Sequence, residues 1–204
     1  MDTKPKSSGH VPVVNSMCDM EGQFAQHPIT VEEYDRMVEA GVFGDLRIEL
    51  IDGRLIDVPP QGPPHAGTLT ACQIRLQGAL GRRAMVRQQM SLPVARESQP
   101  EPDLALVRWS DSYYRDRHPS AAETFAVVEV AVSSLPYDRS VKRRLYGAAR
   151  IPEYWIVDVQ GRAIEVHREP HDLGYGSHIV RKQGDAVSFA SFPDIVFSVD
   201  ELVG

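Results

Sequence analysis

Apolar positions along the chain change period from segment to segment, and those changes divide it into elements. Thr30-Val31-Glu32-Glu33 has the form of a capping box, in which a threonine hydroxyl and a glutamate carboxylate satisfy orphan amides at a helix start. Gly41 is placed to end that helix, which the pattern predicts over about 31–40. In RIELIDGRLIDV, apolar residues flank Asp52-Gly53, the pair that supplies positive φ for a tight hairpin turn between two antiparallel strands. After the PPQGPP breaker, Leu69, Cys72, Leu76 and Leu80 recur at helical spacing and predict a helix over 66–82 with Cys72 as a core residue.

Strands are predicted around Ala84–Leu92, at 103–107 and at 125–132, the last two short and apolar enough to be central. A helical segment over about Ser140–Ala149 then precedes the strand YWIVDV, which starts at Tyr154. Strand, helix, strand is the order of a right-handed parallel crossover. On the crossover helix, Val141, Leu145 and Ala148 form the expected buried stripe, with Lys142 and Tyr146 on the adjoining face. From Arg162 onward, AIEVHR, SHIVRKQ and DAVSFASF alternate polar and apolar residues between glycines, which predicts an antiparallel extension of the sheet, and IVFSVDELV is expected to dock the C-terminus on the core. The fold class is therefore α/β mixed.

Residues 1–27 mix Ser, Gly, Pro and Lys without a period and are expected to be a tail outside the core, leaving one domain over 28–204. A chain of 204 residues with 42% hydrophobic content can build one sizeable core. Its 28 acidic against 22 basic residues give a net charge of −6, which argues against a general nucleic-acid coat protein but leaves room for a local basic groove. Two cysteines, Cys18 and Cys72, cannot make a disulfide framework or a cysteine-rich zinc site. With no apolar run near the roughly 20 residues that span a bilayer and no leader-like stretch, a cytoplasmic protein is expected.

The chemistry begins with a carboxylate where none is comfortable: Glu129 sits at the centre of FAVVEVAV. Burying it costs several kcal/mol unless it is protonated, paired or metal-bound. Strand parity sets Phe125, Val127, Glu129 and Ala131 on one face. Asp103, after Pro102, stands at the mouth of the preceding strand, so the two carboxylates can converge on one cation if those strands are neighbours. Lys142 lies early on the crossover helix, where its ammonium could lean over the sheet edge. Two carboxylates and a lysine suit phosphodiester hydrolysis, because a hard divalent cation polarises the phosphoryl oxygen and the lysine steadies water or developing charge. Each residue also has a plainer reading: Asp103 as a turn residue, Lys142 as a solvated helix residue. Arg139, Arg143 and Arg144 read as phosphate contacts or as a solvated face. Hydrolysis through Ser133 or Ser134 lacks a G-x-S-x-G elbow, and the histidines show no ligand spacing, with His65 placed only to line a site.

At these residues the sequence resembles the Uma-type restriction endonucleases of the PD-(D/E)XK nuclease superfamily. The resemblance runs through TVEEYDRM, RIELIDGRLI, PEPDLALV, VVEV, SVKRRLY and IPEYWIVD, over about 28–200. It implies a restriction-endonuclease-like core with a mixed central sheet flanked by helices, DNA cleavage dependent on Mg2+ or Mn2+, and a homodimer. Residue by residue, it makes Pro102-Asp103 the Pro-Asp element and Glu129 the following acid, both as metal ligands. The lysine usual two positions later is alanine here, Ala131, and Lys142 in SVKRRLY is the matching position on the helix. Glu49 matches an upstream catalytic acid, and Gln89 and Tyr146 are accessory positions. The competing expectation is a catalytically idle member of the fold, a DNA-binding or protein-interaction module that keeps Glu129 and Lys142 as a structural ion pair.

Overall fold

The computed structural model describes residues 26–204, so Cys18 and nearly all of the expected tail lie outside the described residues. The first helix, α1 (Val31–Glu39), has the reciprocal Thr30–Glu33 capping box. The hairpin of β1 (Ile48–Ile51) and β2 (Arg54–Asp57) turns at Asp52 and Gly53, both with positive φ. A helix α2 (Pro63–Leu80) starts at a proline, whose missing N–H is one of the orphan donors there, three residues earlier than its apolar period predicts.

A six-stranded sheet forms the body. It comprises β3 (Met85–Gln88), β4 (Leu104–Val107), β5 (Thr124–Ala131), β6 (Glu153–Asp158), β7 (Ala163–His171) and β8 (Gly174–Lys182), side by side in that order. Only β5 and β6 are parallel, as the crossover requires. The crossover is longer than its pattern predicts: α3 (Leu135–Tyr137) runs through a π-wound turn (Asp138–Lys142) into α4 (Arg143–Ala148).

One layer packs α2 residues Leu69, Cys72, Leu76 and Leu80 against Val128, Val130 and Trp155 of the sheet. The other packs Leu145 and Tyr146 against Val127, Tyr154 and Ile156. The Cys72 thiol donates to the Leu202 carbonyl at 3.1 Å, and burial pushes its pKa up to about 12, as befits a core residue.

Three expectations are corrected. A register shift between Leu106 and Val107 places Thr124 opposite Val107 and Ala126 opposite Leu106. Phe125 is thereby carried to the α2 layer, against Phe192, rather than sharing the face of Glu129. On the crossover, Ala148 is exposed, whereas Lys142 and Tyr146 are buried beside Leu145. Last, DAVSFASF does not extend the sheet: β9 (Ala186–Val187) pairs with β10 (Phe197–Ser198) in a separate ribbon. Phe189 stacks on Trp155 at 3.8 Å between centroids, so this segment is spent covering the core. The closing helix α5 (Val199–Val203) docks on that layer through Val199, Leu202 and Val203.

Candidate active site

Four of the expected residues, Glu49, Asp103, Glu129 and Lys142, line one cavity of about 420 Å³ together with His65 and Asp138, while Gln89 and Tyr146 contact them from outside its lining. Those that line it come from five parts of the fold: the β1 hairpin, α2, the entry to β4, the centre of β5 and the π turn of the crossover, which supplies both Asp138 and Lys142. Asp103 and Glu129 are joined directly, because β4 and β5 are neighbours: the Asp103 amide donates to Glu129 Oε2, and the Val130 amide to Asp103 Oδ2, each at 2.9 Å.

Lys142 reaches this pair from the helix. Its Nζ lies 2.8 and 3.0 Å from the two oxygens of Glu49 and 3.4 Å from Glu129 Oε1. Glu49 also accepts the Glu101 amide at 3.0 Å. Tyr146, one turn on, donates its hydroxyl to Glu129 Oε1 at 2.7 Å. Lys142 on the helix thus stands within ion-pair distance of Glu129, while position 131, two residues past Glu129 on β5, is alanine.

Asp103 is held by side chains as well as by the sheet. His65 donates from Nε2 to Oδ2 at 2.9 Å, and Gln61 and Gln89 donate to Oδ1 at 3.3 and 3.1 Å. Gln89 adopts positive φ, directly after β3, which turns its amide toward Asp103. Of these contacts, Gln61 carried no sequence signal, because a glutamine between prolines reads as loop.

Asp138 is the residue the sequence reading missed. It is buried, accepts from the Ser134 hydroxyl at 2.6 Å, and stands four positions before Lys142 on the same side of the crossover. A helix drawn from Leu135 rather than Ser140 would have put it there. Pro136 obscures that start, although proline is tolerated in a first helical turn. The cavity also contains the Tyr137 hydroxyl and lies against the ring of His65; the hydroxyl and His65 Nδ1 are buried without a hydrogen-bond partner among the described residues. Arg139 and Arg144 are tied to Glu165 and Asp52, and Arg143 donates to the Arg139 carbonyl.

Charge in the cluster is unbalanced: four buried carboxyl groups surround one ammonium. Burial would discharge Lys142, but Glu129 and Glu49 more than offset it and raise its pKa. Burial pushes Glu129 up to about 8, against Lys142 and with Asp103, Asp138 and Glu49, and it pushes Asp138 up to about 6. Of the buried carboxyls in the cluster, Glu129 is the one pushed furthest toward retaining a proton, because burial outweighs the opposing Lys142 ammonium. Burial raises Asp103 too, but the donors from His65, Val130 and Gln89 hold it below its ordinary value, ionised. A divalent cation fits this donor set: hard carboxylate oxygens at a cavity, with negative charge that Lys142 alone does not neutralise among the described residues.

A mixed sheet flanked by helices, with Asp, Glu and Lys converging over its inner strands β4 and β5, is the architecture of a nuclease-like fold. Residues 31–200 match the model of the Uma2 family, described as "putative restriction endonuclease", and the chain belongs to that family. No curated protein matches the chain in sequence. Among solved structures, a crystal structure titled as a "putative nuclease belonging to DUF820" from Anabaena variabilis ATCC 29413 superposes with a TM-score of 0.69 at 18% identity, covering 86% of this chain and 98% of that one. At that identity the likeness concerns the fold. Among the described residues, no helix is long and apolar enough to cross a membrane.

Proposed function

We propose that this cavity is the active site of a metal-dependent DNA endonuclease. The observation that carries the reading is the position of Lys142, whose ammonium, delivered from the crossover helix, lies 3.4 Å from Glu129 inside the cavity that Asp103 lines. Asp103 and Glu129 would hold Mg2+ or Mn2+, which when bound polarises a phosphoryl oxygen and acidifies water. Lys142, charged at neutral pH, steadies negative charge developing on the phosphate. Glu49 orients Lys142, and Tyr146 fixes one oxygen of Glu129 so that the other faces β4. Gln61, Gln89 and His65 hold Asp103 and would keep its carboxylate oriented toward a bound cation. A homodimer would present two such sites to the two strands of a duplex, and sedimentation would establish it.

The idle-module reading has one observation in its favour: Asp103 already accepts four hydrogen bonds, two on each oxygen. Melting curves and plasmid cleavage in Mg2+ or Mn2+ separate the two. On the enzyme reading, both ions raise the melting temperature of the wild type but not of Glu129→Gln. Lys142→Ala lowers the cleavage rate on the order of a hundredfold to a thousandfold, the scale for losing one charge-stabilising donor. If neither ion shifts melting and no DNA is cut, the ion pair is structural and the idle-module reading stands.

A further inference from the structure

A second group of potential ligands lies on the other half of the sheet, outside the cavity. Glu165 and His167 are two residues apart on β7 and so share a face, and the register of β7 with β8 sets His178 directly opposite His167. We propose that Glu165, His167 and His178 form a metal site for a borderline transition cation, Zn2+ foremost, distinct from the carboxylate cluster.

The distances suit such an ion. Glu165 Oε2 lies 3.2 Å from His178 Nε2 and 3.6 Å from His167 Nε2, and the three ligand atoms fall within 4.8 Å of one another. Bonds of about 2.0–2.1 Å to a tetrahedral ion require ligand atoms about 3.4 Å apart. Among the described residues this is the only such group of three, and the carboxylates of the nuclease cavity do not make one.

Three further observations point the same way. His167 is 3% exposed, yet among the described residues its Nε2 has no hydrogen-bond partner, an arrangement native interiors rarely tolerate in a polar atom. Its ring is packed between Tyr154 and His178, at 5.7 and 4.4 Å between centroids, and both Nε2 atoms lie near Glu165; because the two imidazoles are parallel, the half-exposed His178 ring must turn for both lone pairs to meet on one ion. Burial, then His178 and Arg143, disfavour a proton on the His167 ring while Glu165 favours one, and the balance holds its pKa down to about 4.

The neighbours leave one carboxylate oxygen available. Arg139 donates from Nε to Glu165 Oε1 at 2.8 Å, so Oε1 is engaged and Oε2 faces the imidazoles. Two imidazole nitrogens and one carboxylate select zinc-like ions over magnesium, which prefers oxygen ligands throughout. His178 is half exposed, which gives the ion an entry path and room for water as a further ligand. Because Arg139 belongs to the π turn that carries Asp138 and Lys142, a cation on Glu165 clamps the β7–β8 hairpin beneath the crossover helix.

The test is calorimetric titration of the full chain with ZnCl2 in excess Mg2+, with Co2+ absorption as a second readout. Wild type and Glu129→Gln are expected to bind one ion with equal affinity. His178→Ala, at a half-exposed position that leaves the core intact, is expected to weaken binding by at least about a hundredfold, since even partners of ligands contribute ten- to a hundredfold. His167→Gln is expected to do the same and to abolish the imidazole-dependent Co2+ bands. Zinc binding that survives both histidine variants, or that disappears in Glu129→Gln, places the ion at the carboxylate cluster and overturns the proposal. Absence of binding by folded wild type overturns it equally. Loss of nuclease activity has no bearing on either outcome.

Discussion

Glu129 shows what one ammonium among four buried carboxyl groups does to the least favoured of them. Its pKa is raised, mainly by burial, so between about 4.3, the unfolded value, and about 8 the folded protein binds a proton that the unfolded chain does not. Stability therefore falls as pH rises through that window. The melting temperature of the wild type is expected to drop relative to Glu129→Gln as pH is raised across it, and saturating Mg2+ is expected to remove most of the difference; differential scanning calorimetry along a pH series checks both. An unchanged difference would mean that Glu129 is ionised throughout. Glu129 could be found in the sequence because a lone acid in an apolar strand demands a partner. Lys142 could be found because its motif, SVKRRLY, survives as a unit. Asp138 could not, since Pro136 masks the start of the helical turn that carries it, and the period of the segment after Ser140 leaves open what precedes it. The meeting of His178 with His167 was hidden for a related reason: it depends on the register between two strands, and alternation within each strand leaves that register open.

At the scale of elements, local chemistry and burial pattern differed in what they revealed. Asp52-Gly53 and Thr30–Glu33 name their own conformations, and the structure has both. DAVSFASF alternates like a strand, yet its phenylalanines are used to cap Trp155 and the core beneath, a tertiary demand that overrides the period. The crossover helix is set against the sheet by a contact no periodicity announces. Gly147 lies so close to Gly174 that an added Cβ would come within 2.1 Å of the Gly174 carbonyl oxygen. Gly147→Ala is therefore expected to destabilise the protein by at least about 1–3 kcal/mol, the usual cost of overpacking, as measured by urea denaturation. Because α4 continues from the turn that holds Lys142, the same variant is expected to lose the Mg2+-dependent rise in melting temperature; retention of both properties would show that the helix can lift without moving its lysine.

For the whole molecule, a mixed sheet with one parallel pair was legible from the strand, helix, strand order, and the family's residues were legible from their motifs. The cavity was less so, because its walls come from five segments spread over nearly a hundred residues, from Glu49 to Lys142. The six strands of the main sheet lie in the order in which they occur in the chain. Folding can accordingly proceed by adding each strand to the one before it, with tight closures from β6 to β8 and longer ones among β3, β4, β5 and β6. The carboxylate cluster needs more: the separate β1–β2 hairpin and the crossover helix must both be docked before Glu49 meets Lys142. That order of events makes the site a late acquisition of the folding chain. Glu49→Gln is expected to speed unfolding while leaving the refolding rate nearly unchanged in stopped-flow kinetics. The sheet can thus form at its own pace while the residues around the cavity vary, a separation between scaffold assembly and site chemistry that follows from nothing more than strands laid down in sequence.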